Sequence, residues 1–267
     1  LDLREHALER FDGATIVYRV RPGGRPWVLL HGLGCDASMW SGVVEALPED
    51  VGVVVPELRG HGASTLGWRA PSLDLWAEDV AALIEAEGLQ NPAVAGLSMG
   101  GYTALALAAR GGVAVRAWGF VSTSAAPDDD SVRAKRAAGI ETLGRRGREA
   151  FLEGLLPMLL APGREDAAAN GAHLRAMFAR AGEVGLASAL WAVASRPDRR
   201  PLLRSLAAPS VVVVGEADAL TPPERAREIA STAPRAELVV LAGVGHMSAL
   251  ESPSEVARAL LRLEERS

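Results

Sequence analysis

The sequence predicts an α/β fold in which a mostly parallel central sheet is flanked by helices, and three observations carry that expectation. Short continuous runs rich in apolar and β-branched residues recur at Trp27 to His31, Gly52 to Val55, Ala93 to Gly96 and Val211 to Gly215, the pattern of strands buried on both faces. Segments of helical periodicity alternate with these runs, as crossovers between parallel strands require. From Ala125 to Ala208 the alternation lapses for about 80 residues that read as helical throughout.

In chain order, strands are expected near Thr15 to Val20, Trp27 to His31, Gly52 to Val55, Ala93 to Gly96, Val115 to Ser122, Val211 to Gly215 and Glu237 to Leu241. Between the third and fourth, Leu73 to Glu87 places Trp76, Val80, Leu83 and Ile84 on one helix face. The strandless stretch divides the chain into a core of residues 1–124 and 208–267 and a helical unit of residues 125–207. Two late helices are fixed by Thr221-Pro222-Pro223-Glu224 and Ser252-Pro253-Ser254-Glu255, which read as capping boxes with proline at the first helical position.

Composition narrows the function classes. A length of 267 residues suits one medium α/β domain with an insertion. The formal net charge of −5 offers no basic patch for nucleic acid, and Lys135 is the sole lysine beside many arginines. Cys35 is the single cysteine, so no intrachain disulfide forms and a cytoplasmic setting is expected. The opening Leu1-Asp2-Leu3-Arg4-Glu5-His6 carries no signal-peptide-like apolar run, and no apolar run reaches membrane-spanning length. No His or Cys pair has metal-ligand spacing, no glycine-rich loop precedes a phosphate-binding lysine and no dinucleotide fingerprint is present, so neither metal nor cofactor is expected.

Gly96-Leu97-Ser98-Met99-Gly100 stands where the strand Ala93 to Gly96 must turn abruptly into the alanine-rich helix that follows, which makes Ser98 a candidate nucleophile. Glycines two before and two after the serine are what such a turn needs, because Cβ atoms there would collide with the adjoining strand and helix. The Met99 amide then points at any negative charge forming on a bound carbonyl oxygen, with the helix dipole behind it. Leu33, in His31-Gly32-Leu33-Gly34 after another buried strand, is the candidate second oxyanion donor. Asp218 lies just past Val211 to Gly215, and His246, in Gly243-Val244-Gly245-His246, lies past Glu237 to Leu241. Nucleophile, acid and base thus run Ser98, Asp218, His246, each at the C-terminal end of an expected strand.

That order and these motifs resemble the α/β-hydrolase superfamily, from His31-Gly32-Leu33-Gly34 through Arg59-Gly60-His61-Gly62-Ala63-Ser64 and the elbow to Gly245-His246. Ser98-Met99-Gly100-Gly101 and Arg196-Pro197-Asp198 are most similar to the small esterases and enol-lactonase-type hydrolases. Glu57 departs from the aspartate that many such relatives carry ahead of the Arg-Gly-His-Gly stretch. The resemblance implies an α/β-hydrolase fold with a helical cap inserted after the sixth core strand, which covers the site and excludes water. It also implies a serine hydrolase that cleaves a small carboxylic ester or lactone through an acyl-enzyme. The partner is then a small apolar acyl ester or lactone.

Each assignment has a competitor. Asp218 could merely cap its turn, leaving Asp128, Asp129 or Asp130 as the acid. His31 and His61 read as braces for their loops, His6 is terminal, and His173 falls in the helical stretch. Cys35 lacks the strand-to-helix geometry of a nucleophile. Trp40, Met158, Trp191, Leu220 and Met247, with Met99, are candidates to line an apolar pocket, against the plainer reading that such residues are core. The same resemblance covers relatives that hydrolyse or eliminate across C–C bonds, and ligand-binding relatives that keep the triad. Haloalkane dehalogenation is disfavoured because its enzymes carry aspartate where Ser98 stands.

Overall fold

The computed structural model describes residues 3–263, so Leu1 and Asp2 of the opening stretch lie outside the described residues. Eight strands form one sheet: β1 (Arg4–Glu9), β2 (Thr15–Arg21), β3 (Gly24–Leu30), β4 (Val51–Pro56), β5 (Ala93–Leu97), β6 (Ala117–Val121), β7 (Ser210–Gly215) and β8 (Ala236–Leu241). Their order across the sheet is β1-β2-β4-β3-β5-β6-β7-β8. β2 runs antiparallel to both neighbours, and every pair from β4 to β8 is parallel. The expected sheet class holds, and seven of the strands stand close to where the apolar runs put them.

β1 is the strand the runs do not announce. Arg-Glu-His-Ala-Leu-Glu is exposed along nearly its whole length and pairs only with β2, so neither face needed an apolar pattern. The inner strands differ in kind. In β3, Trp27 and Leu29 enter one apolar cluster and Val28 and Leu30 the other, the two-residue period of a sheet covered on both faces. Fully burying each such side chain contributes about 1.5–3 kcal/mol, which locks the register.

One face is covered by α2 (Leu73–Ala86), α3 (Met99–Arg110) and α8 (Pro223–Thr232), and the other by α1 (Ser41–Ala46), the short α9 (Ser248–Glu251) and α10 (Pro253–Leu261). Ser72 accepts the Leu75 amide at 3.0 Å to start α2, whose Trp76, Val80, Leu83 and Ile84 are all buried as their spacing predicts. Between β6 and β7 the chain is helical: α4 (Asp130–Leu159), α5 (Ala167–Arg180), α6 (Glu183–Ala194) and α7 (Arg200–Leu203). Gly147 at φ 80° breaks α4 into two arms. Leu143, Phe151, Leu152, Leu174, Met177, Phe178, Leu186 and Leu190 of this insertion join the same buried cluster as Trp27, Leu29 and Leu97 of the sheet. The insertion therefore packs directly on the core rather than standing apart from it.

Neither capping box forms as expected. α8 starts at Pro223 with Pro222 as its N-cap, and the Thr221 hydroxyl bonds Asp218 instead. Ser252 does precede α10, but its hydroxyl donates to the Glu255 carboxylate at 2.6 Å rather than accepting a helix amide. Proline at the first turn of each helix is as predicted.

Candidate active site

Ser98 sits between β5 and α3 with φ 55° and ψ −114°, a backbone conformation that costs a non-glycine residue about 1–3 kcal/mol. The turn holds it there. Ser98 N donates to Val121 O at 2.9 Å, Thr123 Oγ1 donates to Ser98 O at 2.9 Å, and Tyr102 N donates to the same carbonyl at 3.1 Å. The two elbow glycines are needed for the reason the sequence suggested. A Cβ on Gly96 would overlap the Gly100 carbonyl, and one on Gly100 would overlap that of Leu30. Ser98 remains partly exposed while Met99 and Leu97 are buried, so its side chain alone reaches outward from the turn.

Asp218 and His246 meet in a buried pair. His246 Nδ1 lies 2.9 Å from Asp218 Oδ1 and 3.0 Å from Oδ2, with the two residues 2% and 3% exposed. The remaining valences of the carboxylate are filled locally: Oδ1 accepts Leu220 N at 3.0 Å and Thr221 N at 2.9 Å, and Oδ2 accepts Thr221 Oγ1 at 2.8 Å. Burial alone would push the Asp218 carboxyl up, but the His246 ring beside it and the Thr221 bonds hold it below the usual carboxylate range. Thr221 Oγ1 also stands 3.3 Å from His246 Nδ1.

All three residues lie just past the C-terminal ends of β5, β7 and β8, the edge of a parallel sheet where ligands bind. The loops of Ser98 and His246 are linked through their neighbours. Ser98 N is bonded to Val121, and the next residue, Ser122, brings its hydroxyl to 3.4 Å from that of Ser248, two residues past His246. Among the described residues no hydrogen bond joins Ser98 to His246 directly. The Leu33 and Met99 amides have no acceptor among the described residues, and Gly32 packs against Ser98 so closely that a Cβ there would touch the Ser98 Cβ at 3.7 Å.

The competing acids are engaged elsewhere. Asp128 Oδ1 lies 2.6 Å from Arg196 Nη1 and its other oxygen bonds Arg136, Asp129 caps α4 by accepting Val132 N at 2.9 Å, and Asp130 pairs with Arg133. His31 and His61 are fully buried in their loops. His31 Nδ1 is 2.8 Å from Gly32 O and its Nε2 accepts Leu58 N at 2.8 Å, while His61 Nδ1 is 3.0 Å from Arg59 O. Burial pushes His31 down to about 4 and His61 down to about 3, so both are neutral braces. Burial pushes the Cys35 thiol up, away from the thiolate a nucleophile needs. Glu57 folds back on its own loop, accepting Ala63 N at 2.7 Å and Arg19 Nη1 at 2.6 Å.

The five candidate pocket residues are divided in their surroundings. Trp40 and Met247 are buried in the apolar cluster that the sheet shares with the insertion. Leu220 and Met158 are 37% and 39% exposed, and Trp191, on α6, is 62% exposed. Leu220 and Met247 adjoin the acid and the base along the chain, whereas Trp191 is open to solvent.

Residues 27–259 match the family described as Alpha/beta hydrolase family. The chain belongs to that family. It is similar over its whole length to a thermophilic esterase from Thermogutta terrifontis solved with malate bound, with a TM-score of 0.90, 30% identity and coverage of 100% of this chain and 99% of that one. The enol-lactonase from Burkholderia xenovorans LB400 superposes with a TM-score of 0.86 at 28% identity, covering 95% of this chain and 97% of that one. A pimeloyl-(acyl-carrier protein) methyl ester esterase from Chromobacterium violaceum is 30% identical over 243 residues, 87% of this chain and 91% of that protein. One further curated relative, 28% identical, is longer, and this chain spans 63% of its length.

In this α/β hydrolase, several residues beside the site carry no local signal in the sequence. Thr221 reads as a helix cap and instead completes the Asp218 shell. Phe178 of α5 lies against Gly34 next to Leu33, and Arg180 Nε donates to the buried Asp36 at 2.7 Å. These contacts join positions more than 140 residues apart, which no periodicity encodes. Among the described residues no group of three or more His, Cys, Asp or Glu could hold a metal, and no helix is long and apolar enough to cross a membrane.

Proposed function

We infer that this α/β hydrolase cleaves a small carboxylic ester or lactone through a Ser98–His246–Asp218 triad. Supporting this most directly is the buried His246–Asp218 pair just past β8 and β7, with the strained, partly exposed Ser98 past β5. His246 Nδ1–H donates to the carboxylate, which leaves Nε2 as the base that takes the Ser98 proton as Oγ attacks the carbonyl carbon. Asp218 fixes that tautomer and stabilises the imidazolium. The Met99 and Leu33 amides receive the oxyanion, each worth about 3 kcal/mol where such donors have been removed. His246 then returns the proton to the leaving oxygen and activates the water that hydrolyses the acyl-enzyme. In free enzymes the bond between nucleophile and base is often long and tightens only with substrate bound.

The insertion acts as a cap: residues 125–207 roof a core of 1–124 and 208–267, and Met158, Trp191 and Leu220 meet the substrate from its open side while Trp40 and Met247 back the pocket from the apolar cluster. An apolar acyl group suits these walls. The test is a fluorophosphonate probe with mass mapping of the adduct, followed by a screen of p-nitrophenyl esters and lactones with product analysis. An adduct on Ser98 and release of acid plus alcohol are expected. An adduct elsewhere would remove Ser98 from the mechanism, and two carbon fragments from a non-ester substrate would move the chain to C–C bond cleavage.

A further inference from the structure

Three alternate residues of the loop that carries His246 are each bonded to one turn of the insertion, directly or through Glu251. Gly243 O accepts from Arg164 Nη1 at 3.2 Å, Gly245 N donates to Glu251 Oε2 at 3.0 Å, and Met247 N donates to Leu159 O at 3.0 Å. Glu251 Oε2 also accepts Ala161 N at 3.2 Å. One carboxylate oxygen thus joins an amide of the histidine loop to an amide of the turn between α4 and α5. Arg164 closes the cluster from outside: its Nη2 donates to Glu251 O at 2.6 Å, its Nε is 3.6 Å from Glu251 Oε2, and Asp166 accepts from Nε at 2.8 Å and from Nη2 at 2.9 Å.

The approach of the two segments leaves no slack. A Cβ on Gly245 would stand 2.5 Å from Ala161 N and 2.9 Å from Glu251 Oε1. Glu251 is 4% exposed, and among the described residues its Oε1 has no hydrogen-bond partner. A buried carboxylate with one unmatched oxygen is costly, and an apolar side chain of similar size would be more stable there unless the two amides required an acceptor. Burial indeed pushes the Glu251 carboxyl up, and the two amide bonds with Arg164 act against that rise.

The geometry points to Glu251 as a positioning residue: it clamps the backbone beside His246 to the 159–164 turn of the insertion, so the imidazole is aligned when that turn is docked. This rests on the triad reading above. Substrate contacts with the insertion and placement of the base are then one coupled event, in which a displacement of the loop by ~1 Å costs turnover of order 10²-fold.

The test compares Glu251→Ala, Glu251→Asp and Glu251→Gln on a p-nitrophenyl ester, with amide hydrogen exchange read by mass spectrometry. Glu251→Ala should lower kcat by about 10- to 100-fold and change KM by less than about threefold. Exchange should accelerate together in segments 159–166 and 243–248 and stay unchanged at the elbow, 97–103. Glu251→Gln keeps one acceptor oxygen for the two amides and should recover kcat to within about fivefold. Should Glu251→Ala fail to fold, Glu251→Asp is read in its place, because it keeps the charge and withdraws the oxygen by one methylene. A kcat within about twofold of wild type, unaltered exchange in either segment, or a Gln variant as impaired as Ala would overturn the proposal. Ser98→Ala is run alongside. Continued turnover in that variant would bring down the triad reading and this one with it, whereas an inert Ser98→Ala beside a fully active Glu251→Ala overturns this one alone.

Discussion

Replacing Asp218 by asparagine tests the triad with the least change in shape. Asp218 Oδ1 accepts two backbone amides, Leu220 N at 3.0 Å and Thr221 N at 2.9 Å, so only an oxygen can occupy that position. The new amide nitrogen must therefore take the place of Oδ2, facing Thr221 Oγ1 and His246 Nδ1. Thr221 can turn its hydroxyl to accept. An Nδ1–H would then meet this NH2 donor against donor at 3.0 Å and keep only Oδ1, already shared with two amides, so the tautomer with Nδ1 bare is favoured, Nε2 becomes a donor, and the base loses the lone pair that should take the Ser98 proton. The imidazolium also loses its counter-charge. At an effective dielectric of ~20, opposite unit charges ~4 Å apart attract by about 4 kcal/mol. The same exchange in a serine protease triad lowers kcat by about 10⁴-fold, or roughly 5 kcal/mol of transition-state stabilisation. We expect Asp218→Asn to lose about that much in kcat on a p-nitrophenyl ester, with a thermal midpoint within a few degrees of wild type because the backbone bonds survive. A loss of under about tenfold in a folded variant would refute the assignment of Asp218 as the acid.

Three other outcomes follow from the same geometry. Ser98→Gly should abolish ester turnover while raising stability by up to about 1 kcal/mol in urea titration, since glycine adopts the positive φ without strain; a destabilised variant would mean that the hydroxyl itself holds the turn. Gly100→Ala forces a methyl group into the Leu30 and His31 carbonyls and should cost at least about 3 kcal/mol or give insoluble protein, and an unchanged urea midpoint would contradict the packing. His31 and His61 are neutral braces whose folded values, about 4 and about 3, lie below the unfolded value, so the unfolded chain binds more protons over that interval. Stability should be full above pH ~6.5 and fall as pH drops toward 4, with His31 alone contributing about 3 kcal/mol of the loss. A urea midpoint constant from pH 7 to pH 4.5 would refute this.

The sheet and the elbow were legible because burial on both faces writes itself as continuous apolar runs, and because a tight strand-to-helix turn excludes Cβ atoms at two positions. Asp218 and His246 could be placed for a related reason: the first follows a wholly buried strand and the second the last strand of the sheet, so the position of each at the sheet edge is set by local sequence. What escaped the sequence is non-local or unpatterned. β1 lies exposed at the edge of the sheet and carries no apolar period. Thr221 carries the local signature of a helix cap, yet an unsatisfied buried carboxylate three residues earlier is the stronger claimant for its hydroxyl. The candidate pocket residues could not be sorted by periodicity either, since Trp40 and Trp191 are the same residue type with opposite surroundings, one wholly buried and the other 62% exposed.

The attachments of the insertion divide the site into two mechanical parts. The candidate nucleophile Ser98 is held by the core alone, through Val121, Thr123 and the first turn of α3. The other loops are held from both sides. Phe178 and Arg180 of α5 press on Gly34 and Asp36, which flank the loop of the candidate oxyanion donor Leu33, and Leu159, Ala161 and Arg164 grip the loop of His246. On the proposed mechanism, an acyl group that shifts the insertion would shift His246 and Leu33 relative to a stationary Ser98. Since efficient proton transfer and oxyanion stabilisation both demand donor–acceptor distances near 3 Å, such an arrangement lets contacts remote from the reacting carbon act on the rate of chemistry as well as on affinity. Specificity for the acyl group would then register chiefly in kcat.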